Sequence, residues 1–143
     1  MSETVDLSLY PLIRITVPEE LSPAFVARLY EQLEPIYERG GHYVTVVDGT
    51  PVRRMPDALT RRALTEMPPK LERHVRKWSL GTAIVITSSL ARGAHTALHW
   101  LRVDKYAVPE VAVSTLAEAH GWAVAQLESK DAMTDAIRQL VTG

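Results

Sequence analysis

The chain of 143 residues contains no cysteine, and this one absence removes disulfides, thiolate metal sites and a cysteine nucleophile together. It has almost no net charge: 16 basic residues oppose 17 acidic ones, so no whole-molecule field points to nucleic acid or membrane. It lacks any stretch near the roughly 18 apolar residues that a membrane span requires. The opening "MSETVDLSLYPLIRITVPEE" has no basic n-region, so no signal peptide is expected and a cytoplasmic location follows. Gly-x-Ser-x-Gly, Gly-x-Gly-x-x-Gly and a phosphate-binding loop ending in Gly-Lys-Ser/Thr are all missing. No internal repeat and no low-complexity stretch interrupts the chain. What remains is an ordinary globular composition, 46% apolar and 23% charged, long enough for one domain with a real core, over residues 1–143.

"LIRITV" (12–17) alternates apolar and polar residues and reads as a strand. Ser22 and Pro23 open a helix as cap and first residue, with Phe25, Val26, Leu29, Leu33 and Ile36 at helical spacing. Pro35 should tighten its last turn, and Gly40 and Gly41 should stop it. "HYVTVVD" (42–48) is a second strand, leading into the loop "GTPVRRMP". Asp57 caps a bent helical segment, interrupted at Pro68 and Pro69, with Leu71, Val75 and Trp78 inward. "LGTAIVITS" is a near-continuous apolar run, which suggests burial on both faces. A helix over residues 89–102 should follow it. "VPEVAVST" (108–115) is a fourth strand, and Thr115 with Glu118 forms a capping box for the next helix. Asp131 is the expected cap of a last helix within 129–143, docked or peripheral. The expected class is α/β: a single domain with a four-stranded, mostly parallel sheet covered by helices, in the order β-α-β-α-β-α-β-α.

Charge is unevenly spread along the chain. Residues 1–50 hold three basic and eight acidic groups, whereas residues 51–78 hold eight basic and three acidic. The plain reading is a solvated basic helical face, and the functional one is a docking surface for an acidic partner. His95 and His99 stand four apart, as two ligands of one metal would on a helix. A helical wheel puts them with Arg92 and Arg102 opposite the Leu90, Ala94, Leu98 and Leu101 core side. Thr96 stands where a zinc protease has its glutamate, and two arginines disfavour a dication, so no metal site is expected. Arg92, His95, His99 and Arg102 then read either as exposed surface or as a cationic recognition stripe tunable by pH.

Three segments, "YVTVVDGT", "LGTAIVITSSLARGAHTALHWL" and "VPEVAVSTLAEAHGWAVAQL", give the chain a pattern that resembles the STAS domain of sulfate transporters and anti-sigma-factor antagonists. The nearer likeness is to its SpoIIAA-like branch of small bacterial proteins, whose shape in turn resembles the lipid-binding SEC14 fold. In the antagonists the second strand ends in an Asp-Ser turn whose serine is phosphorylated. Here Asp48 matches the acid, no serine follows, and Thr50 is the nearest hydroxyl, with Arg53 and Arg54 beside it. The resemblance implies a non-catalytic bacterial regulatory or scaffolding protein, without cofactor, that acts by protein–protein contact. Its partner-binding residues would be Asp48, Thr50, Arg53, Arg54, Arg92, His95, His99 and Arg102, and Thr50 would be a candidate phosphorylation site. The alternative is a carrier of a small ligand or lipid, which requires an apolar pocket between sheet and helices. Ile137, Leu140 and Val141 also suggest a homodimer.

Overall fold

A computed structural model describes residues 4–54, 56–87 and 108–142. Its frame is one five-stranded sheet: β1 (Val5–Asp6), β2 (Leu12–Thr16), β3 (Tyr43–Asp48), β4 (Ser79–Val85) and β5 (Glu110–Val113), lying side by side in that order. β1 runs antiparallel to β2, and the other three pairings are parallel. Five α-helices are described: α1 (Pro23–Leu33), α2 (Ala58–Thr65), α3 (Pro69–Trp78), α4 (Leu116–Ser129) and α5 (Asp135–Thr142). The α/β class and the mostly parallel sheet agree with expectation, but the sheet has five strands, not four. The additional strand, β1, is only two residues long and is held at the edge by pairing of Asp6 opposite Arg14.

Local chemistry starts and stops these helices. The Ser22 hydroxyl accepts the Phe25 N–H at 3.1 Å, and Pro23 occupies the first turn, where its missing N–H costs nothing. Pro35 tightens the chain beyond α1 into a 3₁₀ turn over Glu34–Glu38. Asp57 caps α2 by accepting the Thr60 N–H at 2.8 Å. The expected bent segment is two helices, because the N–H groups missing at Pro68 and Pro69 end one and begin the next. Thr115 caps α4 at 3.1 Å from the Glu118 N–H, while the Glu118 carboxylate meets the Thr115 hydroxyl.

Asp131 does not cap α5. Its φ of 55° closes the end of α4, where the N–H groups of Asp131 and Ala132 return to the carbonyls of Glu128 and Leu127. The cap of α5 is Thr134, whose hydroxyl accepts the Ile137 N–H at 3.2 Å. Ile137 is fully buried, and Leu140 packs beside it, so this helix docks on its own sheet layer.

The two sheet faces carry separate cores. Leu12, Val44, Val46, Ala83 and Val85 point to one side, where Ala119, Ala123 and Leu127 of α4 and Ile137 of α5 cover them. Val5, Ile13, Ile15 and Tyr43 point to the other side, against Leu33, Ile36 and Leu71. Helices α1 and α3 therefore share one face, and α4 and α5 share the opposite one. Among the described residues, no helix is long and apolar enough to cross a membrane.

Candidate functional site

The strand order dictates where a site can form. In open parallel sheets, ligands usually settle at the strand ends where the chain reverses its direction of travel across the sheet. Here β2, β3, β4 and β5 follow one another without reversal. No such crevice exists among them, and the available space is lateral, between the sheet and a helix layer.

That space is found on the α1–α3 side. The α4 face of the central strands is sealed: Val44, Val46, Ala83 and Val85 are each at most 1% exposed. On the opposite face of the same two strands, Thr45, Val47, Thr82 and Ile84 are half-buried and less closely covered by the described residues. Above them lies a pocket of about 310 Å³. Phe25, Leu29 and Leu33 of α1 form one wall and Leu71 and Val75 of α3 another, with Leu64 of α2 between them. The Tyr30 hydroxyl ties α1 to α2 by donating to the Leu64 carbonyl at 2.8 Å. The lining is aliphatic and aromatic apart from a few polar groups, among them Thr45, Ser79, Thr82 and Glu110. An apolar cavity with few polar groups suits an apolar ligand and offers water little to hold.

The loop after β3 closes one end of this pocket. Gly49 lies directly on β4, donating to the Val85 carbonyl at 3.0 Å, and a Cβ there would meet that oxygen at 2.6 Å. Val52 is buried at the pocket wall. Asp48 and Thr50 come together in a tight turn: one Asp48 oxygen accepts the Thr50 N–H at 3.1 Å and its hydroxyl at 2.8 Å. Arg53 and Arg54 are exposed on the same loop. The Arg53 N–H donates to the Glu19 carbonyl at 2.8 Å, and the Arg54 guanidinium stands 3.7 Å from Glu20. Arg92, His95, His99 and Arg102 lie outside the described residues, so the expected ridge is not placed against this loop.

A second, polar cleft lies beside α4, lined by Asp6, Arg14, Thr16, Asp48 and His120. Arg14 Nε and His120 Nε2 are buried there without a hydrogen-bond partner among the described residues. Burial, and then the charge of Arg14, hold His120 below the usual imidazole range. Among the described residues, no three His, Asp or Glu side chains gather as a metal site would require.

From the sequence, an apolar pocket between sheet and helices is only what the carrier alternative requires, and Phe25, Leu29, Leu33, Leu71 and Val75 read as core positions rather than as its wall. The available signal was the pairing of Thr45 with Thr82, which places two hydroxyls on one face of otherwise aliphatic strands. The chain matches no protein-family model and no curated protein.

Proposed function

We propose that this protein is a non-catalytic carrier that holds one single-chain apolar molecule between its sheet and helices α1–α3. The observation that supports this reading is the contrast between the two faces of β3 and β4, sealed under α4 and only half-buried on the pocket side among the described residues. At about 310 Å³ the pocket stands at the lower end of the ligand-site range of roughly 300–1,000 Å³. That size favours one acyl chain or one fused ring system over a two-chain lipid.

The test is fluorescence titration with the neutral probe N-phenyl-1-naphthylamine. Saturable enhancement is expected with the wild-type chain. Thr45→Phe places an aromatic ring in the middle of the pocket floor and should weaken probe binding by roughly tenfold or more, since it removes the ligand's own volume. Its thermal midpoint should stay close to wild type, because the added ring fills existing space. No saturable signal from the wild type, or equal binding by Thr45→Phe, would reject the carrier reading.

A second reading draws on the loop after β3. Its exposed Arg53 and Arg54 are presented from a segment fixed by Val52, by the Asp48–Thr50 turn and by the bond to Glu19. Under this reading the protein is a STAS-like regulatory or scaffolding adaptor that meets an acidic protein partner there, with Arg92, His95, His99 and Arg102 extending the contact. Arg53→Glu with Arg54→Glu should then abolish retention of the partner from a cell extract while leaving the thermal midpoint unchanged. Undiminished retention by the double variant would remove this loop from the contact.

A further inference from the structure

The pocket wall formed by α2 and α3 has an outer side of opposite character. Leu64, Leu71 and Val75 face the pocket, while Arg62, Lys70, Arg73, Arg76 and Lys77 are exposed on the same two helices. Two of these cations are partnered along the helix, Arg62 with Glu66 at 3.0 Å and Arg76 with Glu72 at 2.9 Å. The third carboxylate of the region, Asp57, is engaged as the α2 cap. Lys70, Arg73 and Lys77 have no carboxylate within ion-pair distance among the described residues; Lys70 and Lys77 lie 5.1 and 5.2 Å from the ring centres of Tyr37 and Trp78. A chain with a net charge of −1 thus concentrates positive charge on the helices that roof its apolar pocket.

The same helix pair carries an exposed apolar side chain. Leu59 of α2 is 69% exposed, the most exposed large aliphatic side chain among the described residues, and it stands one turn before Arg62. Cations beside an exposed aliphatic group are what an interfacial helix presents to lipid headgroups and the acyl boundary beneath them. Nucleic acid would use the cations but leave the leucine without a role, since strand binding relies on aromatic stacking platforms.

We propose that the exposed sides of α2 and α3 form one surface that docks on an anionic lipid bilayer, with Lys70, Arg73 and Lys77 against the headgroups and Leu59 inserted below them. Docking would bring the pocket roof to the source of its ligand. That assignment of cargo rests on the carrier reading, whereas docking is a property of the outer surface alone.

The test is co-sedimentation of the full chain with vesicles of phosphatidylcholine, with and without phosphatidylglycerol. The wild type should pellet only with the anionic vesicles, and less as salt rises. Arg73→Glu with Lys77→Glu should lower the apparent affinity by roughly tenfold or more. Leu59→Ser should lower it severalfold at every salt concentration, and both variants should keep the wild-type thermal midpoint. Equal pelleting with pure phosphatidylcholine, no pelleting at all, or an unchanged affinity in the charge-reversed variant would overturn the proposal. So would tighter binding to a short DNA duplex or to a polyglutamate peptide than to the anionic vesicles. The same variants are titrated with N-phenyl-1-naphthylamine without vesicles. A wild type that takes the probe but ignores vesicles overturns docking and leaves the carrier reading in place. One that pellets but takes no probe upholds docking and removes the cargo.

Discussion

Gly81→Ala is expected to cost about 3–5 kcal/mol, adding left-handed backbone strain to overpacking. Gly81 has φ of 129°, a conformation that side chains rarely adopt. A Cβ there would sit 2.5 Å from the Pro109 carbonyl oxygen and 2.9 Å from the Trp122 ring. The indole edge can shift, but the carbonyl cannot move freely, because it accepts the Thr82 N–H at 3.0 Å where β4 and β5 begin to pair. The substitution therefore attacks backbone geometry, the β4–β5 register and the packing of α4 at one point. Urea unfolding of the variant measures it. A loss below 1 kcal/mol would show that the start of β5 is not held as closely as the structure places it.

Ile137→Asp is the second large effect, at about 4 kcal/mol, of the order expected when a buried apolar side chain is replaced by an unpaired carboxylate. Ile137 is fully buried against Leu127 and the α4 layer. The substitution should shift the urea midpoint strongly at neutral pH and recover part of the loss in acid, where the new carboxylate is protonated. Val141→Asp on the same helix is the control: Val141 is 43% exposed and should change stability little. Equal, small effects at both positions would mean that α5 does not belong to the core. The docking of Ile137 and Leu140 within the chain also uses two of the three residues that suggested a homodimer.

The features legible in the sequence are those settled within a few residues. Ser22, Asp57 and Thr115 each cap a helix because their acceptor and donor lie three positions apart. The strands around Ile13, Val46 and Ala83 follow from alternation and aliphatic content. Misreadings arose where distant groups decide. β1 is too short to show a period, and distant groups hold it: Val5 is buried in the core and donates to Gln32, and Asp6 meets Arg14 across the strand pair. Asp131 has the residue type of a cap, yet the end of α4 needs it first. The apolar run through β4 suggests burial on both faces, and no residue of the strand is exposed, though one face is more deeply buried than the other. Ala119 and Ala123 let α4 lie directly on β3 and β4, whereas on the other face the larger side chains of α1 and α3 line the pocket. Of the expected partner residues, the structure describes Asp48, Thr50, Arg53 and Arg54 and brings the first two together.

The uninterrupted march of the strands also sets the timetable of folding. When β5 has left the ribosome, all five strands have been made, yet Leu12, Val44, Val46, Ala83 and Val85 still lack α4 and α5. Among the described residues, their cover is supplied by residues 116–142, which enter no strand. A nascent chain thus carries an oily, strand-rich surface until α4 emerges to bury it. Chaperone demand should accordingly peak late in translation, and a premature stop before α4 should release a chain that aggregates rather than a smaller folded protein.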